Sequence, residues 1–260
     1  MAQIQMEFLS RSLCRQCGMT LLLPQQARGG AGLFPKERRQ WPVLYLLHGM
    51  YNDHTSWTRQ TSIERYAAAL PLLIVMPDAE NSFYTDIPGS VDRYWTFLSE
   101  ELPEVIASCF PVSTAREDTF VAGLSMGGYG AMRLALKKPE RYAAAACLSG
   151  PLDIPAALRT RGDQPDVVCS FQRVFGSVQQ QIDEDLDPFC LAEKVRAEIA
   201  PRIYLSCGTG DSLLGMTRSF RARFRDKLDI TYDEQPGAHE WAVWDAQIEK
   251  VLRWLPLSGT

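Results

Sequence analysis

Residues 121–128 read Val-Ala-Gly-Leu-Ser-Met-Gly-Gly, a short apolar run that leads into a serine with glycine two positions away on each side. The apolar run predicts a buried strand, and the residues after the serine predict a helix. A strand that turns at once into a helix needs small residues beside the turn, and Gly123 and Gly127 meet that need. The turn would present the Ser125 hydroxyl at a helix amino terminus, where developing negative charge is favoured. This pattern indicates a nucleophile elbow, although a tight turn without a chemical role would use the same glycines.

Outward from this turn, short apolar runs alternate with longer helical patterns. The predicted strands are residues 4–9 and 19–23, which form an antiparallel pair, followed by 43–47, 72–76, 120–123, 143–148, 203–206 and 230–233. The predicted helices are residues 57–70, 91–109, 126–138 and 240–254, with a short helix near Phe171 and another that Asp187 caps. This alternation is typical of the α/β class, with a mainly parallel sheet and helices on both faces.

The region 151–200 interrupts the alternation, because it is rich in Pro, Asp and Gln. It is too short to bury a core of its own. We therefore interpret it as a cap-like insertion over the carboxyl edge of the sheet, within a single domain that spans residues 1–260.

Composition and charge exclude several classes of function. With 46% hydrophobic residues among 260, the chain can bury a large core. Its net charge of −4 argues against a nucleic-acid partner. The longest apolar run, residues 67–76, contains Pro71 and is shorter than the roughly 18 residues that a membrane helix needs. The first seven residues lack the basic and apolar segments of a signal peptide.

The seven cysteines predict reduced thiols in a cytoplasmic protein, since a chain of this length does not need disulfides. Cys109, Cys147 and Cys207 lie in apolar surroundings and are expected to be buried. Cys14 and Cys17 have the spacing of a metal or redox motif, but there is no second pair and no histidine nearby, so a hairpin is the simpler interpretation.

A serine hydroxyl is a poor nucleophile without a base, and the chain has three histidines. His239 lies in a glycine-containing loop between the last predicted strand and the last predicted helix, from which a base would reach the carboxyl edge of the sheet. His48 ends a strand and precedes a glycine, so we expect it to shape that loop. His54 lies in a polar loop and is most simply a surface residue.

An acid that orients the base should also follow a strand. Asp211 does so, after a predicted strand and a glycine turn. The order Ser125, Asp211, His239 is that of α/β-hydrolases. Asp233 and Asp183 are alternatives, the first inside a strand pattern and the second in the insertion. Asp211 could also serve only as the cap of a helix.

Acyl transfer further needs donors for the oxyanion. One is expected to be the backbone N–H of Met126, the residue after the nucleophile, and the other the N–H of Met50, in the loop after strand 43–47. The sequence leaves open whether the two methionine side chains pack or line a pocket. Four aromatic residues near the expected site could either form a pocket for an acyl or aryl group or belong to the core. They are Trp57, Phe83, Tyr84 and Trp241.

Motifs for other chemistries are absent from the sequence. No G-x-G-x-x-G opens a helix, no G-x-x-x-x-G-K-[ST] phosphate loop occurs, and His239-Glu240 is not followed by a second histidine at position 243. We therefore expect neither a cofactor nor a metal.

Seven segments together resemble the esterase D-like family of α/β-hydrolases, most closely its bacterial tributyrin and acetyl esterases and its feruloyl esterases. They are Tyr-Leu-Leu-His-Gly-Met-Tyr-Asn-Asp-His-Thr-Ser-Trp at 45–57, Met-Pro-Asp at 76–78, Asn-Ser-Phe-Tyr-Thr-Asp at 81–86, Glu-Glu-Leu-Pro at 100–103, Gly-Leu-Ser-Met-Gly-Gly-Tyr-Gly-Ala at 123–131, Leu-Ser-Gly at 148–150 and Gly-Ala-His-Glu-Trp at 237–241. The resemblance covers about residues 4–255, and region 151–200 matches least well.

The resemblance implies a serine hydrolase without metal that cleaves short-chain acyl or aryl esters through an acyl-enzyme. Feruloyl or acetyl-sugar esterase, S-formylglutathione hydrolase and acyltransferase activities remain alternatives with the same triad, and so does a binding module that kept the fold. The expected partner is a small ester, with no nucleic acid and no membrane. Self-association into a homo-oligomer is left open.

Overall fold

An eight-stranded sheet lies at the centre of the protein, whose computed structural model describes residues 1–25, 40–160, 165–176 and 183–257. In chain order the strands are β1 (Ala2–Ser10), β2 (Arg15–Leu23), β3 (Val43–Leu47), β4 (Leu73–Pro77), β5 (Thr119–Leu124), β6 (Ala144–Leu148), β7 (Arg202–Gly208) and β8 (Ile230–Gln235). All eight strand predictions are confirmed, with ends that differ by a few residues.

The strand order in the sheet is β1-β2-β4-β3-β5-β6-β7-β8. β1 and β2 pair antiparallel, as do β2 and β4, and all other neighbours are parallel. The chain adds β4 on one side of β3 and β5 on the other. In open α/β sheets, such a reversal leaves a crevice at the carboxyl ends of the two strands, where ligands bind.

The sheet is buried on both faces in its centre. Every residue of β3, β4 and β6 is buried, and these strands are apolar runs without polar alternation, as expected for strands covered on both sides. Successive side chains still point to opposite faces. Val43, Tyr45 and Leu47 belong to one apolar cluster, whereas Leu44 and Leu46 belong to another.

Helices cover both faces of the sheet, which confirms the predicted α/β class. They are α1 (Ser56–Gln60), α2 (Ile63–Ala67), α3 (Tyr94–Thr96), α4 (Leu102–Cys109), α5 (Met126–Lys137), α6 (Ile154–Thr160), α7 (Pro165–Phe175), α8 (Pro188–Lys194), α9 (Leu214–Phe224) and α10 (Trp241–Trp254). Short 3₁₀ turns occur at Arg116–Asp118, Glu184–Leu186 and Ala197–Ile199.

The predicted helix 57–70 is instead two short helices, α1 and α2. The Thr61 hydroxyl donates to the Trp57 carbonyl at 2.5 Å, and the Ser62 N–H donates to Asp245 Oδ1 at 2.8 Å. The Trp57 carbonyl still accepts the helical bond from the Thr61 N–H at 3.2 Å, and the hydroxyl adds a second one. Only the Ser62 N–H is diverted from a helical carbonyl to a side chain. The helix therefore breaks between Gln60 and Ile63.

The predicted helix 91–109 begins at Tyr94 and contains a π-helical turn, Phe97–Glu101, between α3 and α4. Glu101 is buried, and its carboxylate accepts hydrogen bonds from the Ser10 hydroxyl and the Ser12 N–H in the β1–β2 turn. The neighbouring Glu100 binds Lys138 and Arg141 elsewhere. The π turn thus contains two consecutive carboxylates that bind different parts of the fold.

The region between β6 and β7 holds α6, α7 and α8; residues 161–164 and 177–182 within it lie outside the described part of the chain. The Asp187 side chain accepts the Phe189 N–H, and Pro188 begins α8, as predicted. α7 presents four buried apolar side chains, Val167, Phe171, Val174 and Phe175.

All seven cysteines are free. Cys147 and Cys207 are buried as predicted, and Cys14 and Cys17 belong to the β1–β2 hairpin. The expectation that Cys109 is buried is wrong, because the last turn of α4 exposes it. Within the described ranges, no helix is both long and apolar enough to cross a bilayer.

Candidate active site

Ser125 occupies the turn between β5 and α5, at the carboxyl edge of the sheet. Its backbone has φ 51° and ψ −120°, a conformation that non-glycine residues seldom adopt and that is associated with functional turns. Its N–H donates to the Leu148 carbonyl at 2.8 Å, which ties the turn to the end of β6. The strained turn is therefore fixed by a neighbouring strand and is not left to local preference.

Gly123 and Gly127 are required by close backbone contacts. A Cβ on Gly123 would lie 2.3 Å from the carbonyl oxygen of Gly127, and a Cβ on Gly127 would lie 2.4 Å from that of Leu47. Both distances are far below van der Waals contact, and the atoms met are backbone, which cannot move aside. The two glycines therefore let β5, α5 and the end of β3 approach one another around Ser125.

The side chains of Ser125, His239 and Asp211 form one chain of hydrogen bonds. His239 Nε2 lies 2.9 Å from Ser125 Oγ, and His239 Nδ1 lies 2.7 Å from Asp211 Oδ2. Asp211 can only accept at this position, so Nδ1 carries the proton and Nε2 is free to accept the serine proton. The sequence predicted these three residues separately, and the fold brings them within hydrogen-bond distance.

Two loops hold the acid and the base together. Asp211 follows β7, and His239 follows β8, the next strand in the sheet. The Thr209 N–H donates to the Gln235 carbonyl and the Gly210 N–H to the Gly237 carbonyl, both at 2.8 Å. These bonds extend the pairing of the strands into the loops, so the spacing between carboxylate and imidazole is set by the backbone.

The Asp211 carboxylate is fully buried, whereas the His239 side chain is 20% exposed. Burial alone would raise the pKa of Asp211, but the hydrogen bond and charge of His239, together with the Leu213 N–H, outweigh it and lower that pKa. The Leu213 N–H donates to Asp211 Oδ1 at 2.9 Å, so Asp211 also caps the turn before α9. Asp211 therefore has two roles: it caps this turn and it binds His239.

The other histidines have structural contacts. His48 is buried, and its Nε2 accepts the Ala79 N–H at 3.0 Å, which joins the loops after β3 and β4 as expected. His54 is half-buried and not a surface residue, because its Nδ1 lies 2.8 Å from the Thr20 hydroxyl of β2.

The alternative carboxylates have other partners. Asp233, inside β8, accepts hydrogen bonds from Gln247 at 2.8 Å and from Lys250 at 2.6 Å. Asp183 accepts the Asp185 N–H and so caps a 3₁₀ turn. Neither carboxylate contacts His239.

The two backbone N–H groups predicted to bind an oxyanion belong to Met126, which follows Ser125 directly, and to Met50, which lines a cavity with Ser125. Met126 is the first residue of α5, so its N–H has no carbonyl within the helix to bind. Met50 lies in the turn after β3, and Asn52 Nδ2 donates to its carbonyl at 2.9 Å. Neither N–H has an acceptor among the residues that the structure describes. Both are therefore available to a ligand.

The side chains of the two methionines differ in role. The Met126 side chain is buried, and its Sδ accepts the Phe83 N–H at 3.4 Å, so it packs and positions the loop after β4. The Met50 side chain lines a cavity that contains Ser125. This distinction was open in the sequence.

The cavity beside Ser125 is small and mostly apolar, with a volume of about 20 Å³. Its lining residues are Met50, Phe83, Ser125, Pro151, Ala157, Val167, Phe171 and Leu213. The region between β6 and β7 supplies half of them, and α7 supplies two. The wall of the cavity beside Ser125 therefore comes largely from this region.

Of the four aromatic residues that the sequence singled out, only Phe83 lines this cavity. Trp57 is fully buried and donates from Nε1 to the Leu47 carbonyl, and Tyr84 is buried and donates to the His48 carbonyl. Trp241 packs edge-on against Trp57 at 5.5 Å. These three residues therefore pack with the core and do not line the cavity beside Ser125.

Sequence reasoning did not single out Val167 and Phe171 as lining residues. A signal was present, because the buried positions 167, 171, 174 and 175 have the spacing of an amphipathic helix. α7 is held by an aromatic cluster in which Phe83 contacts Phe171 at 4.6 Å and Phe175 at 5.4 Å between ring centres. No periodicity could reveal that the partner of this apolar face is the loop after β4.

Comparisons with known proteins agree with this geometry. A model of the family described as "Putative esterase" matches residues 10–255. The chain is 30% identical over 261 residues to an acetyl esterase of Caldicellulosiruptor saccharolyticus, with 98% of each chain covered. Among solved structures, the substrate-bound fluorophosphonate-binding serine hydrolase F of Staphylococcus aureus is 29% identical, with a TM-score of 0.83 and 98% of each chain covered. An S-formylglutathione hydrolase of the same organism is 26% identical, with a TM-score of 0.81 and the same coverage.

The chain belongs to the "Putative esterase" family. It is an enzyme with an α/β-hydrolase fold, a serine hydrolase that acts on small esters. The resemblance stated from its sequence motifs is thereby confirmed.

Proposed function

We propose that the protein hydrolyses esters of short acyl groups, with Ser125 as nucleophile, His239 as general base and Asp211 as the residue that orients His239. The observation that supports this most directly is the unbroken chain of hydrogen bonds from Asp211 through His239 to the strained Ser125. Such a relay converts a weak nucleophile into an effective one.

In the first half of the reaction, Ser125 Oγ attacks the ester carbonyl carbon while its proton passes to His239 Nε2. The carbonyl oxygen becomes an oxyanion, which the N–H groups of Met50 and Met126 bind. By comparison with other oxyanion donors, each contributes about 2.7–4 kcal/mol to the transition state. The intermediate then expels the alcohol oxygen, which takes the proton from His239, and an acyl-enzyme remains.

In the second half, water attacks the acyl carbon and gives its proton to His239. The new oxyanion occupies the same two donors. Its collapse breaks the bond to Ser125 Oγ, which recovers the proton, and the carboxylic acid leaves. Asp211 keeps its charge throughout and stabilises the imidazolium that forms twice in each cycle.

The size of the cavity supports a short acyl group. A site for one water-sized group needs about 10–15 Å³, so a cavity of about 20 Å³ has room for a methyl-sized substituent. Acetyl and formyl groups fit this space. They are the acyl groups named for two relatives, the acetyl esterase and the S-formylglutathione hydrolase.

The region 151–200 acts in this proposal as a cap-like insertion on a single domain of residues 1–260. Its α7 contributes Val167 and Phe171 to the cavity wall. The insertion would therefore set the length of the acyl group. We also propose a cytoplasmic location, because the seven cysteines are free and free cysteines are typical of proteins in reducing compartments.

The chain-length experiment compares kcat/KM for 4-nitrophenyl acetate, butyrate and hexanoate. We expect a decrease of at least about tenfold from acetate to hexanoate, because each methylene that does not fit costs about 1–3 kcal/mol. Equal or rising values along the series would contradict the short-acyl assignment without affecting the roles of the three side chains.

A labelling experiment tests those roles separately. A fluorophosphonate probe should modify Ser125, as located by mass spectrometry of the labelled peptide, and should not modify Ser125→Ala. Lack of labelling in folded protein would favour a binding module. S-formylglutathione as substrate, and product analysis with and without an added alcohol, would distinguish ester hydrolysis from thioester hydrolysis and from acyl transfer.

A further inference from the structure

A second cavity lies at the opposite edge of the sheet from Ser125, and its volume is about 300 Å³. One part of its wall is formed by Val43 and Thr119, the first residues of β3 and β5. Another part is formed by Pro103 and Ala107 of α4. A five-residue strand spans roughly 16 Å. The cavity is therefore separated from Ser125 by the length of the strands.

The volume and lining are those of a small-molecule site. Ligand sites begin at about 300 Å³ and are mostly apolar, with a few polar groups that fix orientation. Here Val43, Pro103, Ala107 and Val112 supply apolar surface. The polar lining includes the hydroxyls of Ser113 and Thr119, which bind the backbone of Ala115, and the phenols of Tyr45 and Tyr142.

These two phenols differ from every other buried tyrosine in the described part of the chain. Six tyrosines are buried, and four of them have a hydrogen bond at the hydroxyl, namely Tyr84, Tyr94, Tyr129 and Tyr204. Tyr45 and Tyr142 are 5% and 2% exposed, and neither hydroxyl has a partner among the described residues. Neither hydroxyl oxygen is among the fully buried polar atoms of the described residues, so the small exposed part of each side chain includes its hydroxyl. Both tyrosines line this cavity, where a ligand can reach the two hydroxyls.

Both hydroxyls are available as neutral donors. Burial raises the pKa of Tyr45 and of Tyr142, and the nearby Arg141 charge offsets this rise only in part. Neutral phenols can donate one hydrogen bond and accept others. A ligand oxygen placed between them would satisfy both.

The charges at this cavity are already paired. Glu100 binds Lys138 and Arg141, and Glu104 pairs with Arg11. Each charged side chain that lines the cavity within the described residues therefore has an opposite partner. This arrangement favours an uncharged ligand, since a charged one would have to displace an existing ion pair.

We propose that this cavity, which we call the tyrosine cavity, is a second binding site. It takes a small neutral molecule with an apolar body, such as an aromatic or branched alcohol. The ligand's oxygen is bound by the hydroxyls of Tyr45 and Tyr142, and its apolar part packs against Val112 and the α4 wall. The site is independent of the reaction at Ser125.

The proposal is tested with 4-fluorobenzyl alcohol as the probe and ¹⁹F NMR line broadening as the measurement of binding. Tyr45→Phe and Tyr142→Phe remove only the hydroxyls and leave the cavity open. Each is expected to weaken Kd by about two- to tenfold, the effect of one hydrogen bond. Phenylalanine at these positions removes only a hydroxyl that has no protein partner among the described residues, so both variants should be folded and about as stable as the wild type.

A matched pair of variants locates the site. Ala107→Trp places an indole over the cavity from an exposed helix position, and Ser108→Trp places the same side chain one residue further along α4, where it does not line the cavity. We expect Ala107→Trp to abolish the broadening and Ser108→Trp to retain it. Equal binding in these two variants, wild-type affinity in both phenylalanine variants, or no broadening with wild-type protein at millimolar probe would each overturn the proposal.

Discussion

The two ends of β3 and β5 carry cavities of opposite character. At the carboxyl ends, a cavity of about 20 Å³ lies beside Ser125, and at the amino ends the tyrosine cavity has about 300 Å³. The larger one has phenols and paired charges but no activated nucleophile. The smaller one has a buried carboxylate, an imidazole and a strained serine in contact. In the proposed mechanism, reactivity therefore depends on the convergence of these side chains and not on the volume of the cavity.

The difference has a cause in the topology. Loops at the carboxyl edge follow strands that lie side by side, so residues far apart in sequence meet there. Among the described residues, six of the non-glycine residues with positive φ lie in the loops after β3, β4, β5 and β6, all at this edge. They are Tyr51, Glu80, Phe83, Tyr84, Ser125 and Ser149. Such conformations persist only where the surroundings enforce them, and they are common at functional sites.

The largest expected effect is the loss of activity in Ser125→Ala. Without the nucleophile, kcat should fall about a million-fold. The matched control at the other edge is Ser108→Ala, an exposed serine of α4 that should keep wild-type kcat. Steady-state kinetics with 4-nitrophenyl acetate and a thermal melt of both variants provide the measurement. Retention of most activity in folded Ser125→Ala would remove the distinction between the two edges.

A smaller loss is expected for Asp211→Asn. The amide cannot hold His239 in the required tautomer or stabilise its charged form, so kcat should fall about ten-thousand-fold. Asp233→Asn is the matched control, because Asp233 lies on the neighbouring strand and binds Lys250 and Gln247 instead. If the two variants lost activity equally, the orienting role would not belong to Asp211.

Phe171→Ala should reduce the difference in volume between the two cavities, because Phe171 lines the smaller one. Removal of this ring enlarges the space beside Ser125, so the ratio of kcat/KM for butyrate to that for acetate should rise about tenfold. Phe175→Ala is the control, since Phe175 belongs to the same aromatic cluster but does not line the cavity. Both variants should be less stable by about 3–5 kcal/mol. An unchanged ratio in Phe171→Ala would show that this residue does not limit the acyl group.

The smallest expected effect is on the stability of the fold in acid. It is examined with one carboxylate from each edge of the sheet, Asp211 and Glu100. Burial opposes ionisation of both Asp211 and Glu100, yet both pKa values are lowered, by His239 in the first case and by Lys138 and Arg141 in the second. Carboxyls in unfolded chains titrate at about 3.9 for Asp and 4.3 for Glu. Each residue therefore stabilises the fold at neutral pH, and this contribution is lost as the pH falls below about 4 through the lowered native pKa.

Asp211→Asn should therefore show a smaller decrease in Tm between pH 6 and pH 3 than the wild type. Glu100→Gln should behave nearly as the wild type does, because its side chain is 41% exposed and water screens its ion pairs. Thermal melts at the two pH values measure both. A decrease in Asp211→Asn as large as that of the wild type would mean that the buried carboxylate adds no acid sensitivity.

Much of the fold could be predicted because it depends on local pattern. The buried strands are apolar runs, and the spacing of the glycines around Ser125 indicates the nucleophile elbow, so both could be predicted from the sequence. The break at Thr61 and the π turn at Glu101 could not, because each depends on a partner distant in sequence, Asp245 in one case and the β1–β2 turn in the other. Local preference has no information about such partners.

The chain itself determined which side chains could perform the chemistry, since residue type fixes what can attack, accept a proton or carry charge. The tertiary structure alone decided that Ser125, His239 and Asp211 lie within hydrogen-bond distance, and that α7 closes the space beside them. It also decided that two tyrosines share an open cavity at the far edge. Proximity between residues a hundred positions apart arises from strand order and packing, which no short stretch of sequence encodes.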